Sequence, residues 1–481
     1  MLSRIIEFHL RNRFMVFAGL AILIAGGLYI LSHIPIDAFP DLTNNQVVVI
    51  TEAPGMPPSE VEQLVTYPIE VVLMGLPRTE GVRSVSKFGL SMVTVVFEDS
   101  VNIYLARQWI NERIQEVRSR IPAGLEPTLG PVATAFGEIY QYTLESDRMS
   151  AMELKTLHEW SIKNQLRAVR GINEVNTWGG ETRQVNIEVD PVKLLRYGLS
   201  LRDVFDRVQE NNANFGGGYI EHASEQYTIR GLGRVQSAHE LESIVLAAKG
   251  GSPVLLRQVA TITDKPMQRA GAVLRDGKKE TVSGMTIMLK GENGRETIQR
   301  VKDKIASLQL PAGVRIVPFY DQSEVIDRTI ATVKKNLLEA GGLVIAVLFV
   351  FLGNWRAALI VAAVIPLSML FGFLGMAAFG VSANLMSLGA IDFGMIVDGA
   401  VVMMENSVRR LERRPNEHFH PFDRVLHAST EVARPILFGV SIIIAVYLPI
   451  FALEGLEGRM FRPMAITVCS ALFGSLLLAL T

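Results

Sequence analysis

Two regimes of hydrophobic patterning divide the chain. Residues 14–36 hold no Asp, Glu, Lys or Arg, and at about 1.5 Å per residue such a run exceeds the roughly 20 residues that span hydrocarbon. About 300 residues of mixed polarity follow, and then five more apolar runs, at 340–355, 357–380, 385–404, 435–453 and 463–481, with limits set by charge. The pattern predicts one transmembrane helix, a large water-facing block and five further transmembrane helices. Arg4, Arg11 and Arg13 ahead of the first run also resemble the basic start of a secretory signal. The run is long, however, and SHIPIDAFPD after it offers no small-residue cleavage site, so a retained helix is expected.

Within the water-facing block the period changes. VVVITE (47–52), a helical pattern from Ser59 to about Leu73, VRSVSKFG, MVTVVFE and a helix from Val101 to Ile121 read as strand, helix, strand, strand, helix. IPAG (121–124) closes that helix, and EIYQYTLES (138–146) either completes this unit or opens the next. A second round runs through a helix from Ala151 to Val169, strands near INEVNTW and QVNIEVD, then TVSGMTIMLK, the helix GRETIQRVKDKIASL, LPAG (310–313) and VRIVPFYD. Two split βαβ units of ferredoxin-like type are the economical reading. About ninety residues, 180 to roughly 271, interrupt the second unit and include the Gly-rich NFGGGYIEH, which marks an inserted subdomain.

Composition narrows the class. With 481 residues, 49% of them hydrophobic, and a mean hydropathy of +0.28, the chain is too long for one compact domain and too apolar for a soluble one. Arg356 and the loop bearing Arg409, Arg410, Arg413, Arg414 and Arg424 fall on the side of the N-terminus. By the positive-inside rule that side is cytoplasmic and the large block is external. A net charge of -1, from 47 basic and 48 acidic residues with no basic block, argues against a nucleic-acid partner. The single cysteine, Cys469, lies in an apolar run, so no disulfide or thiolate metal site can form within the chain and it reads as a packing residue.

The candidate chemistry lies in GAIDFGMIVDGAVVMMENS (389–407), where Asp392, Asp398 and Glu405 stand in or beside a spanning run. A mid-membrane carboxylate opposes insertion by about 2.5 to 3.5 kcal/mol, so Asp392 and Asp398 together oppose it by roughly 5 to 7 kcal/mol. On a continuous helix these two lie about 120° apart and ~9 Å along the axis, with Glu405 two turns beyond Asp398 on nearly the same face. The result is a ladder of acids from mid-bilayer toward the cytoplasmic end. Gly389, Gly394 and Gly399 give another helix room to approach. A desolvated carboxyl group has a raised pKa, which suits a proton relay. Pairing with polar groups between helices, or oxygen ligation of a hard divalent ion, fits the same residues.

These features resemble the resistance-nodulation-division transporters over the whole chain. IPIDAFPDLTNNQV after the first helix, LPIFALEGLEGRMFRPMA around the fifth and sixth, and above all DFGMIVDGAVVMMEN carry the likeness. The last is similar to the heavy-metal efflux branch, and within it to pumps for divalent zinc, cobalt, cadmium or nickel; copper and silver pumps usually lack its first acid.

The resemblance implies an α-helical membrane protein with an α+β periplasmic domain, corresponding to the N-terminal half of a pump about twice this length. Residues 1–36 would be the cytoplasmic start and transmembrane helix 1, 37–135 porter subdomain 1, 136–179 with 272–330 porter subdomain 2, 180–271 a docking insertion, and 337–481 transmembrane helices 2–6. It further implies that Asp392, Asp398 and Glu405 form the proton relay, and that Glu138, in FGEIYQYTL, lies where such pumps place a cleft carboxylate that contacts the metal. The metal ion would be cargo, with no cofactor, and the protein a metal/proton antiporter. A homotrimer in a Gram-negative inner membrane would work with a periplasmic membrane-fusion adaptor and an outer-membrane channel.

Competing readings are a drug-exporting relative, disfavoured by only 7% aromatic residues, and a half-length protein-translocation accessory, which would lack the duplicated porter and its insertion. No nucleophile–base pair, phosphate loop or metal triad points to an enzyme. His418, His420 and His427 match no closed zinc set. Met386, Met395, Met403 and Met404 read as packing in preference to a thioether relay for copper(I), and Pro366 and Pro449 as bends.

Overall fold

A computed structural model describes residues 2–36, 41–134, 136–235, 237–249, 251–269, 271–389, 391, 393–412 and 421–481. The amphipathic α1 (Leu2–Arg11) passes through Asn12 into the apolar α2 (Arg13–His33). Beyond α2, β1 (Gln46–Glu52), β2 (Thr79–Lys87), β3 (Leu90–Phe97) and β4 (Thr128–Leu129) form an antiparallel sheet in the order β2-β3-β1-β4. Alternation sets its faces. Val47 and Val49 of β1 and Val93, Val95 and Phe97 of β3 are buried on one side, while the residues between them are half-exposed. Two helices cover the buried side. One is a rod made of Pro58–Val61, a π-helical turn at Glu62–Thr66 and Tyr67–Leu73. The other, α3 (Ile103–Val117), buries Ala106, Ile110, Ile114 and Val117 at helical spacing, and Asn102 caps it by accepting from the Tyr104 amide.

A second sheet opens with β5 (Glu138–Ser146) and β6 (Ile172–Gly179), and then the chain leaves it. The excursion contains β7 (Arg183–Val189), β8 (Phe215–His222), β9 (Glu225–Gly231), β10 (Val245–Lys249), β11 (Ser252–Leu255) and β12 (Ala260–Pro266), which pair β7 with β12, β8 with β9 and β10 with β11. It returns through β13 (Val273–Arg275), β14 (Lys279–Met288), α4 (Gly294–Ala306) and β15 (Val314–Asp321). β14 lies between β5 and β6, and β15 pairs with β5, so the path β6-β14-β5-β15 repeats that of the first sheet. β13 pairs with the start of β14, beyond the reach of β6.

One sequence expectation changes here, and one open alternative is decided. QVNIEVD becomes β7 and pairs with β12 from Ala260↔Val189 to Pro266↔Arg183, so it belongs to the excursion and not to the second sheet. EIYQYTLES opens the second sheet, and the last strand of the first is the two-residue β4, too short for alternation to reveal.

The two units share one irregularity. In each, the helix after the first strand contains a π-helical turn, Glu62–Thr66 or His158–Ile162, that delivers a buried polar side chain to the core. Thr66 Oγ1 lies 2.8 Å from both Ser86 Oγ and Ser91 Oγ. His158 Nε2 lies 2.8 Å from Tyr142 Oη and its Nδ1 2.9 Å from Thr177 Oγ1. Each buried group has its partner, as a close-packed core requires.

From β15 the chain enters the helical bundle directly along α5 (Gln322–Leu352). Gly353 ends that helix in the left-handed region at φ +58°, and Asn354 caps α6 (Trp355–Ala378) by accepting from the Arg356 and Ala357 amides. Then come α7 (Leu385–Gly389), α8 (Phe393–Glu412), α9 (Pro421–Tyr447), a 3-10 turn at Leu448–Ala452 and α10 (Gly455–Leu480).

Among the described residues five stretches are long and apolar enough to cross a membrane: α2, α6, one ending in α8, α9 with its 3-10 turn, and α10. The sixth apolar run is the shorter Leu338–Val350 within α5. Several helices outrun their apolar runs: α8 continues past Glu405 to Glu412, and Pro435 and Pro463 lie inside α9 and α10. A charged residue ends a hydrophobic pattern without ending a helix.

Burial pushes His158 down to about 4. Between about pH 6.5 and pH 4 the unfolded chain therefore takes up a proton that the folded one refuses, so this unit loses stability as pH falls through that window and gains none above it. The loss is roughly 3 kcal/mol. Amide exchange in β14, followed from pH 7 to pH 4.5, should show that slope in the parent protein and a flatter one in His158→Gln.

Candidate functional site

Asp392 lies outside the described residues, as do Arg413, Arg414, His418 and His420. Asp398 and Glu405 are both on α8. Their spacing puts them about 10 Å apart along the axis and within roughly 20° of one another around it. Both side chains are exposed, while Ile396, Val397, Gly399 and Ala400 turn into the bundle. The buried setting expected for the acids is therefore not supplied by α6, α9 and α10, which cover the opposite face of α8. Helical period explains this, because the inward positions are already filled by small and apolar side chains. Met395, Met403 and Met404 pack against the same apolar core, as flexible side chains do.

α8 is tied to its neighbours at both ends. Ser475 of α10, 2% exposed, donates its hydroxyl to the Ile396 carbonyl. Gly399 is enclosed by α9 and α10, since a Cβ there would meet Ile436 Cγ2 at 3.0 Å and Ala479 Cβ at 3.7 Å. Toward the other end the buried Asn406 donates to the Ala428 carbonyl at 2.8 Å and to Glu431 Oε2 at 3.2 Å, both on α9. Arg410 reaches the same Glu431 oxygen at 3.0 Å, and Arg409 donates to Asn406 Oδ1 at 2.9 Å.

Asn406, Glu431 and Ser475 escaped the sequence reading. Glu431 lies outside the apolar run that begins at Pro435, because the charge of Arg434 sets that limit; α9 continues back through both residues to Pro421 and carries this fourth acid.

Glu138 stands apart from this group, at the first position of β5. Its side chain is exposed and accepts from Gln141 Nε2 at 3.2 Å. Among the described residues no group of three or more His, Cys, Asp or Glu side chains is placed to hold a metal ion.

A polar junction joins the bundle to the first sheet. Arg459, near the start of α10 and with a side chain 17% exposed, donates to Asn44 Oδ1 at 2.7 Å, to the Leu42 carbonyl at 3.3 Å and to Asp99. Lys290, just beyond β14, lies 3.6 Å from Asp41. Nothing in the hydropathy pattern singles out these contacts, because Arg459 is separated from Asp99 by 360 positions.

Comparison with known proteins bears on this arrangement. A family model described as "AcrB/AcrD/AcrF family" matches residues 5–481. The chain is 46% identical, along its whole length and 47% of the relative, to the cobalt-zinc-cadmium resistance protein CzcA of Cupriavidus metallidurans. It is 48% identical to protein HelA of Legionella pneumophila, again over all of this chain and 47% of that one. Among solved structures, a heavy metal efflux pump superimposes with a TM-score of 0.90 at 40% identity, covering 99% of this chain and 47% of the other. The chain thus spans about half the length of the relatives it matches.

α6 and α10 pack so closely that a Cβ on Gly474 would fall 2.3 Å from Phe371 Cγ. Gly474→Val should therefore force these helices apart and destabilise the bundle by about 1–3 kcal/mol. A lowered melting midpoint in detergent, read by fluorescence-detected gel filtration, is the expected result; Gly19, where a Cβ meets nothing within 4 Å, is the control position for the same substitution.

Proposed function

Since the chain belongs to the AcrB/AcrD/AcrF family, we propose that it is the N-terminal half of an inner-membrane pump that exports divalent heavy-metal cations, among zinc, cobalt, cadmium and nickel, in exchange for protons. The relative named for cobalt, zinc and cadmium resistance supports that class of cargo. The observation that carries the coupling is the placement of Asp398 and Glu405 along one face of an otherwise apolar-cored helix.

A carboxylate held in hydrocarbon is disfavoured by about 2.5 to 3.5 kcal/mol, so Asp398 takes a proton when the face carrying it is shut off from water. It releases that proton when the cytoplasmic side opens. Glu405, two turns nearer the cytoplasmic end, receives it on the way. Each charge moved down the membrane potential yields about 2.3 kcal/mol per 100 mV, which drives the cation outward. Asp392 would be the first member of the same relay. Glu138 serves as a metal contact along the outward path, exposed at the edge where β5 begins; one carboxylate makes a weak, transient ligand, as suits cargo that must leave.

The architecture follows in the same terms. α2 and the five apolar segments after residue 337 would be six transmembrane helices, the two sheet units ferredoxin-like porter subdomains (37–135, and 136–179 with 272–330), and 180–271 the docking insertion. All three would lie in the periplasm, where an adaptor and an outer-membrane channel receive the cargo. Homotrimer formation is supported by the β8–β9 arm, whose Phe215, Tyr219, Ile220, Tyr227 and Ile229 are exposed and gain from cover by another copy.

Asp398→Asn, expressed in the native genetic context, should lower zinc or cobalt resistance at least about tenfold, the effect of some 1.4 kcal/mol or more on coupling. Membrane insertion, checked by fractionation and blotting, should be unchanged. Resistance equal to the parent's would refute the relay.

A further inference from the structure

We propose that α10 transmits movement of the carboxylate helix α8 to the first sheet unit, with Arg459 as its grip. The inference rests on the reading that Asp398 changes protonation, and it assigns the route by which that change leaves the membrane.

The route begins at Ser475. Its buried hydroxyl donates to the Ile396 carbonyl, the acceptor that α-helical geometry assigns to the Ala400 amide. This places α10 in direct hydrogen-bond contact with the backbone of the turn that carries Asp398. Gly399, one residue further on, lies against Ala479 of the same helix. Any rotation or slide of α8 at Asp398 must therefore shift α10 or break a buried hydrogen bond.

Ser475 and Arg459 are sixteen residues apart on one continuous helix, about 24 Å. Arg459 ends the route by reaching two segments of the first unit. It holds the linker from α2 through the Leu42 carbonyl and Asn44, and the turn between β3 and α3 through Asp99. Those two segments are themselves locked together, because Asn45 donates to the Glu98 carbonyl at 3.0 Å and to the Val101 carbonyl at 2.7 Å. A guanidinium fork on several acceptors fixes orientation as well as distance, which a point charge does not. What Arg459 moves is thus the start of β1, the end of β3 and the start of α3 as one piece.

The second unit is connected differently. β15 runs straight into α5, and Lys302 of α4 pairs with Asp321 at that joint, at 2.5 Å. One unit therefore follows α5 by covalent continuity, and the other, joined by its chain to α2, is held to α10 by a side-chain grip. A displacement of α10 relative to α5 changes the position of one unit against the other, which is the motion that opens or closes a path between them.

The test is hydrogen exchange by mass spectrometry on the full chain in nanodiscs, using Asp398→Asn as a permanently neutral Asp398. With Arg459 in place, the substitution should change exchange at residues 97–101 by about threefold or more, and in α10 as well. In Arg459→Gln and, separately, in Asp99→Asn, the change in α10 should persist while that at 97–101 is lost; Arg459→Lys should transmit weakly. Exchange in β1 and α3 reports that the unit is still folded in each variant. Equal responses at 97–101 with and without Arg459, or no response there in the parent background, would overturn the proposal. Zinc movement into proteoliposomes under an imposed proton gradient separates this from the transport reading. Failure of metal movement with an Arg459-dependent exchange response would reject the cargo and leave the linkage standing.

Discussion

The desolvation of a carboxylate on a membrane-spanning helix is the constraint on which the rest of this structure depends. α8 meets it by division of faces. Its inward positions, Ile396, Val397, Gly399 and Ala400, fill the bundle, and Asp398 and Glu405 look the other way. Lipid is a poor neighbour for carboxylates on that outer face. Packing and chemistry therefore do not compete for the same positions on α8.

Polar contacts tie α8 to its neighbours at two levels. Asn406, Arg410 and Glu431 lock α8 to α9, and Ser475 ties α8 to α10. The helices also meet through small residues such as Gly399 and Gly474, where neighbouring side chains fill the space a Cβ would need. The two sheet units have cores of their own. Each has a close-packed core behind a four-strand path, and in each the buried polar group of the π-helical turn is paired internally, Thr66 in the first and His158 in the second. Arg459 crosses from the bundle to the first unit through the Leu42 carbonyl, Asn44 and Asp99.

How much of this was legible in the sequence depended on the range of the signal. The strands β1 and β3 announced themselves through alternation, and α3 through Ala106, Ile110 and Ile114 at helical spacing. β4 was silent because two residues carry no period. β7 was misassigned because its pattern is that of any half-buried strand, and only its partner β12, more than seventy residues on, decides which sheet it joins. Helix limits read from charge came out short for α8, α9 and α10, since the hydrophobic pattern reports the membrane and not the backbone hydrogen bonds. The acids of α8 were visible as chemistry out of place. Glu431 was not, since the charge of Arg434 closes the apolar run before it is reached, and neither was the exposure of Asp398.

By itself the sequence determined which segments are apolar enough to leave water, which segments repeat, and that two carboxylates stand near one helical face, because composition and spacing are local properties. Only the tertiary structure decided which face of α8 is covered, which strand pairs with which, and that Arg459 grips Asp99 across most of the chain. Those outcomes depend on contacts between residues far apart in sequence, and their free energies arise when distant surfaces meet, so no window along the chain contains them.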